Sequence, residues 1–459
     1  MNYCYTPSIY PPESLQLQGA QGSSKWYDGS YSCTLIIMSS LTERLHVFLR
    51  STERYLKTDM VYLFHGSFWM TFAQVATSAA SFFLSIAFAN FVDPATYGIY
   101  RYVLTIAGIL TIPTLTGLNT ATVQAVAQGK DGVLRPNVRT KIIWGLLGGA
   151  ASLLLAAYYY LSTPTSPLAL TFFIAALFLP FMDSFGLYDA FLQGKKDFRR
   201  SSLYMIVAQL TATAVIALAV LLSHNLFLIV IAYFASWTIA RYFLLQMTVR
   251  HYRPIDRADA QTLTYGKHLT LMSVLGTIAS YADRLLVFHY LGATSLAVYS
   301  FALSPVDQIK GVFKGIPSLA LPKLSALSSE QINERLTERL WMLTFAGAAV
   351  AALYIVCAPF LFMALFPKYL SAVLLTQVYA AGLAFVAPLQ LIASALQSKP
   401  QMVRAMYASS TASNVVLILS LAVFGYYWGM FGIVLARVSQ YLLSLIFGLI
   451  VWRWARTTS

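Results

Sequence analysis

The chain has 459 residues, of which 58% are apolar and only 10% charged, against roughly a quarter charged in a soluble domain. So apolar a chain needs lipid as its main solvent, which excludes an ordinary soluble enzyme or binding module. The formal charge of +14 sits in short basic clusters between apolar runs, a footprint of membrane topology and not of a nucleic-acid groove.

Residues 1–58 read as a separate N-terminal extension. Its first 37 residues are polar and form no recognisable element, which places the expected translational start at Met38. "LTERLHVFLRSTERYLK" (41–57) then sets Leu41, Leu45, Phe48, Leu49 and Leu56 on one helical face with basic residues opposite. That pattern predicts an amphipathic helix lying on a membrane surface.

At about 20 apolar residues per crossing, the rest predicts an all-α integral membrane protein of about twelve spans. Spans 1 to 6 fall near 62–92, 98–118, 141–161, 168–191, 203–223 and 226–247. Spans 7 to 12 fall near 266–291, 295–318, 339–363, 374–396, 405–425 and 429–451. A six-helix bundle at 60–250, a linker at 251–265, a second bundle at 266–452 and a tail at 453–459 follow.

The connecting loops test this count, because cytoplasmic loops concentrate Lys and Arg. Seven basic segments, such as "QGKKDFRRSS", alternate with six nearly neutral ones, such as "NFVDPATYG", "SHNLF" and "FGYYWGM". Lys368 is the lone basic residue among the neutral loops. Both termini are therefore expected in the cytoplasm, and the opposite loops are too short to hold a domain.

An internal repeat supports the division into halves. "FVDPATYGIY" (91–100) aligns with "YLGATSLAVY" (290–299), and "LQGKKDFRR" (192–200) with "LQSKPQMVR" (396–404). Six spans per half make the repeat parallel, with a pseudo-two-fold along the membrane normal, as in transporters built from two bundles around a midplane site.

Ionisable groups inside spans are functional-site candidates, since each costs several kcal/mol unless it meets water or a partner. Arg101, Arg284, Lys310, Lys314 and Arg437 are the candidate cationic lining of a substrate cavity. Asp183, Asp283 and Asp307 are the candidate charge partners or ion-coupling acids. Asp307, Lys310 and Lys314 share one helical face, and the first two could equally form a purely structural pair. Asp283 and Arg284 are adjacent, so they point about 100° apart, and which of them faces the cavity is left open. Bases outnumber acids along this lining, which favours an anionic substrate. Cys4, Cys33 and Cys357 have no metal-ligand spacing, and no phosphate loop, Ser–His–Asp set or paired catalytic carboxylates stand out.

"ADRLLVFHYLGATSLAVYSFAL" (282–303) resembles a signature of bacterial polysaccharide flippases, the O-antigen transporter family of the multidrug/oligosaccharidyl-lipid/polysaccharide (MOP) superfamily. "FVDPATYGIYRYVLTIAGILTIPTLTGLNTATVQAVAQG" (91–129) resembles the matching piece of the first half. The resemblance covers roughly residues 60 to 452. It implies a MATE-like pair of six-helix bundles in the bacterial inner membrane. It further implies movement of an undecaprenyl-pyrophosphate-linked anionic oligosaccharide to the outer leaflet by alternating access. A polysaccharide polymerase and chain-length machinery would be candidate partners, H⁺ or Na⁺ could couple transport, and no cofactor or nucleic acid is expected. One rival is a multidrug or small-solute antiporter of the same superfamily, but residues 61–92 hold no acid and the lining is net basic. Another is a membrane polymerase or glycosyl/acyltransferase, which would need a sizeable loop and catalytic acids or a His–Asp pair.

Overall fold

A computed structural model of the chain describes residues 60–163, 166–313, 324, 329–398 and 402–457. The Met38 start, the amphipathic segment 41–57 and Lys314 lie outside the described residues. In chain order the first half has α1 (Met60–Phe91), α2 (Pro94–Leu110), α3 (Leu118–Ala127) and α4 (Leu134–Ser162). It continues through α5 (Leu168–Phe185), α6 (Leu187–Gly194), α7 (Phe198–Ser223) and α8 (Leu226–Tyr252). The second half has α9 (Ala260–Phe313), α10 (Ser329–Leu365), α11 (Val373–Ala380), α12 (Leu383–Gln397) and α13 (Val403–Thr457). Among the described residues every α or 3₁₀ element is helical and none is a strand.

Among the described residues ten helical runs are long and apolar enough to cross a membrane, and two of them are of double length, 52 and 50 residues. At 1.5 Å per residue either would reach about 75 Å, more than twice a bilayer core. Each turns back on a glycine instead. Gly292 (φ 84°) lies midway between Asp283 and Tyr299, which are hydrogen-bonded at 2.6 Å although 16 residues apart. A straight helix would separate them by about 24 Å. Gly429 (φ 57°) does the same in α13, where the carbonyl of Phe424 lies against the backbone of Gly432. Both glycines adopt the left-handed conformation that side-chain-bearing residues avoid. The double-length runs are therefore hairpins, which reconciles ten runs with the expected twelve crossings.

The repeat is visible in these turns. Asp93 aligns with Gly292: the first caps α2 through a 2.9 Å hydrogen bond from the Ala95 amide, with Pro94 at the first helical position. The second reverses the chain by its backbone alone. Gly98, just past the first turn, packs on the carbonyl of Ala293, just past the second.

Four spans differ from expectation. Span 2 ends at a bend where Leu115 is left-handed (φ 58°), and α3 then occupies what reads as loop. Span 3 starts at Leu134, not near 141, which draws Lys141 into the interior. Spans 4 and 10 are each broken, next to Gly186 and Gly382.

Leu154, Leu222, Phe345 and Phe360 point outward over the surface, as lipid-facing residues must. On the basic-loop side, Lys130 pairs with Asp259 at 2.9 Å and Arg135 with Asp256 at 3.6 Å, tying the 251–265 segment to the α3–α4 turn. The Thr262 hydroxyl and then the Lys130 ammonium lower the pKa of Asp259 to about 2. On the neutral-loop side, Tyr102 stacks on Phe288 at 3.7 Å and Tyr97 on Phe301 at 4.4 Å between the halves.

A Cβ on Gly98 would lie 1.8 Å from the Ala293 carbonyl oxygen, so Gly98→Ala must push α2 and α9 apart. The expected loss is roughly 1–3 kcal/mol, read as a drop of a few degrees in the thermal midpoint of the detergent-purified protein. Gly276→Ala, whose Cβ meets only the Asn414 amide at 3.3 Å, should leave the midpoint nearly unchanged.

Candidate functional site

A chamber of about 310 Å³ lies where α1, α2, α7 and α8 meet the α9 hairpin. Two guanidiniums face it: Arg101 from α2 and Arg284 from α9. Neither donates a hydrogen bond or forms an ion pair with any described residue, and both Nε atoms are buried. The Tyr281 ring lies 5.9 Å from the Arg284 guanidinium, and the Asp283 and Asp307 carboxylates attract it without contact. Ser81, Ser85, Ser300, Ser304 and Gln209 add neutral hydrogen-bonding groups. Arginine keeps its charge at any pH a cell experiences, so these are permanent cations awaiting an anion.

Three intramembrane acids are paired with bases, while Arg241 of α8 donates to the Met182 carbonyl at 2.9 Å and lies over the Trp237 ring. Asp283 is 1% exposed and grips Arg437 with both oxygens, Oδ2 to Nε at 2.8 Å and Oδ1 to Nη2 at 2.7 Å. The Tyr299 hydroxyl donates to the same carboxylate at 2.6 Å, and Arg437 Nη2 also donates to the Ser280 carbonyl at 2.8 Å. In the first half, Asp183 accepts from Lys141 at 2.8 Å and from the Thr114 hydroxyl at 2.7 Å. Lys141 is fully buried and donates onward to Asn119 Oδ1 at 2.7 Å.

Lys310 sits in an aromatic box. Its ammonium is 3.0 Å from Asp307 Oδ1, 2.9 Å from the Tyr441 hydroxyl and 3.5 Å from the Tyr379 ring centroid. Tyr379 donates to the same Oδ1 at 3.0 Å. Asp307 nevertheless lines the chamber, is 39% exposed, and its Oδ2 has no partner among the described residues.

With this geometry established, comparison with known proteins places the chain. Residues 63–328, more than half of its length, match the profile of the polysaccharide biosynthesis protein family. This chain belongs to that family. No curated protein sequence matches it. Among solved structures, the lipid II flippase MurJ in an inward closed conformation aligns with a TM-score of 0.66 at 15% identity, covering 84% of this chain and 87% of MurJ. A MATE transporter in complex with MaL6 aligns at 0.64 and 15% identity, covering 86% of this chain and 96% of that one. A MOP-superfamily transporter from Pyrococcus furiosus, described as having a binding pocket of reversed polarity, aligns at 0.60 and 13%, covering 86% and 95%. At these identities the likeness fixes the fold: this is a multi-pass membrane protein with the architecture of MOP-superfamily transporters, and no enzyme is among these neighbours.

For this family member, the expected cationic lining divides in two. Arg101 and Arg284 reach the chamber, whereas Arg437 and Lys310 do not line it. Arg437 is held away because Asp283, 154 residues distant in sequence, takes its guanidinium. Of the adjacent pair, Arg284 faces the chamber and Asp283 turns toward the returning arm of its own hairpin and α13. Lys141 escapes a sequence reading because it stands at the edge of an apolar run and looks like a loop charge. Tyr299, Tyr379 and Tyr441 carry no charge signal, and only spatial proximity reveals them.

Asp283→Asn alone leaves Arg437 buried without its counter-charge and should cost about 3–5 kcal/mol of stability. Asp283→Asn combined with Arg437→Met removes both charges and should recover most of that loss. Thermal midpoints of both variants in one detergent check this; a double variant no more stable than the single would refute the pairing.

Proposed function

We propose that this protein is a flippase for a lipid-linked anionic oligosaccharide, the undecaprenyl-pyrophosphate type, moving it from the cytoplasmic to the outer leaflet for O-antigen, capsule or exopolysaccharide assembly. One observation carries the reading: the half-buried guanidiniums of Arg101 and Arg284 share a chamber without an ion pair or hydrogen bond to any described residue, and the one carboxylate among the described lining residues, Asp307, is paired through Oδ1 with Lys310. A diphosphate supplies what they lack, because planar guanidiniums take phosphate oxygens through paired, charge-assisted hydrogen bonds. A cationic drug would meet repulsion there, which counts against the multidrug-antiporter reading.

The family membership and the MOP architecture support alternating access between two bundles, 60–250 and 266–452, joined by the 251–265 linker. The alternation of basic and neutral loops supports an inner-membrane protein with both termini in the cytoplasm. A polysaccharide polymerase and its chain-length machinery are the expected neighbours in the membrane. For coupling to H⁺ or Na⁺, Asp307 is the acid that fits: Lys310 holds its Oδ1 but its Oδ2 opens to the chamber, whereas the Asp183 and Asp283 carboxylates do not line it.

Arg101→Ala and Arg284→Ala should each lower surface polysaccharide about 10- to 100-fold at unchanged protein level, each removing charge-assisted bonds worth about 1.5–3 kcal/mol. Arg284→Lys keeps the charge without the fork and should fall in between. Normal polymer in both alanine variants would defeat the chamber's role. In proteoliposomes, Asp307→Asn should remove any stimulation of flipping by a proton or sodium gradient. Stimulation that persists in this variant would exclude Asp307 as the coupling acid.

A further inference from the structure

We propose that a second cavity receives the saccharide, and that the sugar nearest the diphosphate is uncharged. This rests on the flippase reading and extends it from the charged group to the sugar. The cavity measures about 550 Å³, within the range of sites that enclose a small ligand. Thr116, Ser273, Thr277, Tyr407, Ser410 and Asn414 give its polar character, and none of the described residues lining it is charged.

Its position relative to the two-arginine chamber follows from helix geometry. Ser273, Thr277, Ser280 and Arg284 recur every three or four residues, so they form one stripe along α9. The first three belong to the neutral cavity and the fourth to the chamber. Ser280 and Arg284 are about 6 Å apart along the axis. The opposite wall runs in parallel: α2 carries Arg101 into the chamber, and the bend at Leu115 brings Thr116 and Thr120 to the neutral cavity. A diphosphate on the arginines therefore has neutral, hydroxyl-lined space about one helical turn away along α9, into which a glycosyl group bonded to it can extend.

The hydrogen bonds in the wall specify what that group brings. Ser273 donates to the Thr270 carbonyl at 2.8 Å, Thr277 to Ser273 at 3.0 Å and Ser280 to Thr277 at 2.7 Å. With their protons engaged, these hydroxyls offer lone pairs to the cavity, and so they accept from a ligand rich in O–H donors. The Asn414 amide and the Tyr407 hydroxyl have no partner among the described residues and supply donors in return. A carboxylate-bearing sugar would find no free cation in this wall, since Arg437, which reaches the Ser280 carbonyl, is taken by Asp283, and it would stay unpaired there, which is strongly unfavourable.

The test measures binding to the full chain in lipid nanodiscs with three probes. They are undecaprenyl diphosphate alone, the same lipid carrying a neutral hexose disaccharide, and the same lipid carrying a uronic-acid disaccharide. The neutral glycolipid should bind about tenfold more tightly than the bare lipid, and at least about tenfold more tightly than the acidic one. Asn414→Leu should erase the advantage of the neutral sugar while leaving bare-lipid affinity within about twofold, which also shows that the variant is folded. If Asn414→Leu loses bare-lipid binding too, Tyr407→Phe decides by the same ratio. Equal affinity for bare and neutral lipids, or acidic and neutral glycolipids binding alike, would overturn the neutral subsite and leave the flippase reading standing. A bare lipid that fails to bind, or binds unchanged in Arg284→Ala, would overturn the flippase reading itself.

Discussion

An ionised side chain surrounded by hydrocarbon costs several kcal/mol unless another group answers its charge, and the interior of this protein is arranged around that cost. Asp183 meets Lys141, Asp283 meets Arg437 and Asp307 meets Lys310, each at 3.0 Å or less. Asp283–Arg437 joins elements 154 residues apart and Lys141–Asp183 joins the consecutive helices α4 and α5, so both also act as cross-ties. Against that background Arg101 and Arg284 stand out, because their guanidiniums make neither an ion pair nor a hydrogen bond to any described residue. A fold able to pair three acids with three bases leaves two more cations facing an open chamber.

The backbone meets the same constraint differently. No lipid-exposed peptide group can go without a partner, so connections on the neutral-loop side are reduced to the tightest reversals available. Gly292 and Gly429 each turn a helix back within a residue or two, which keeps the pairing of backbone groups nearly continuous. Close approach of elements then depends on missing side chains. Gly98 rests on Ala293, and Gly108 makes room for the Tyr281 ring, so α2 and the first arm of α9 touch along much of their length.

Much of this was legible in the residues. The membrane class, the helical fold and the repeat follow from hydropathy, loop charge and two short alignments, because lipid imposes strong, local and one-dimensional rules. Candidate charges were legible as a set, since any Arg or Asp inside an apolar run is conspicuous. Of their partners, only the Asp307–Lys310 pair, three residues apart on one helix, was legible. Nothing near Arg437 announces that Asp283 will claim it, and nothing in "RTKIIWG" distinguishes a buried lysine from a loop lysine. Pairing is a three-dimensional property, decided by which helix faces which. The break after span 2 was hidden too, because the bend at Leu115 falls on a residue with no turn preference.

Lys368, the lone basic residue of the neutral loops, stands at the seam between the halves. Its ammonium donates to the Asn90 carbonyl at 2.8 Å, near the C-terminal end of α1, where the helix dipole is negative. Asn90 in turn donates to the Leu365 carbonyl at 3.1 Å, so the strap runs in both directions. The lysine is exposed, and such a contact is worth about 1 kcal/mol or less. In the alternating-access cycle proposed above, a strap of that strength would shift the ratio of closed to open molecules by roughly fivefold at most, which would bias a seam without locking it. A charge that breaks the topological rule thus becomes a small thermodynamic weight on the closed side, light enough for a bound substrate to outweigh.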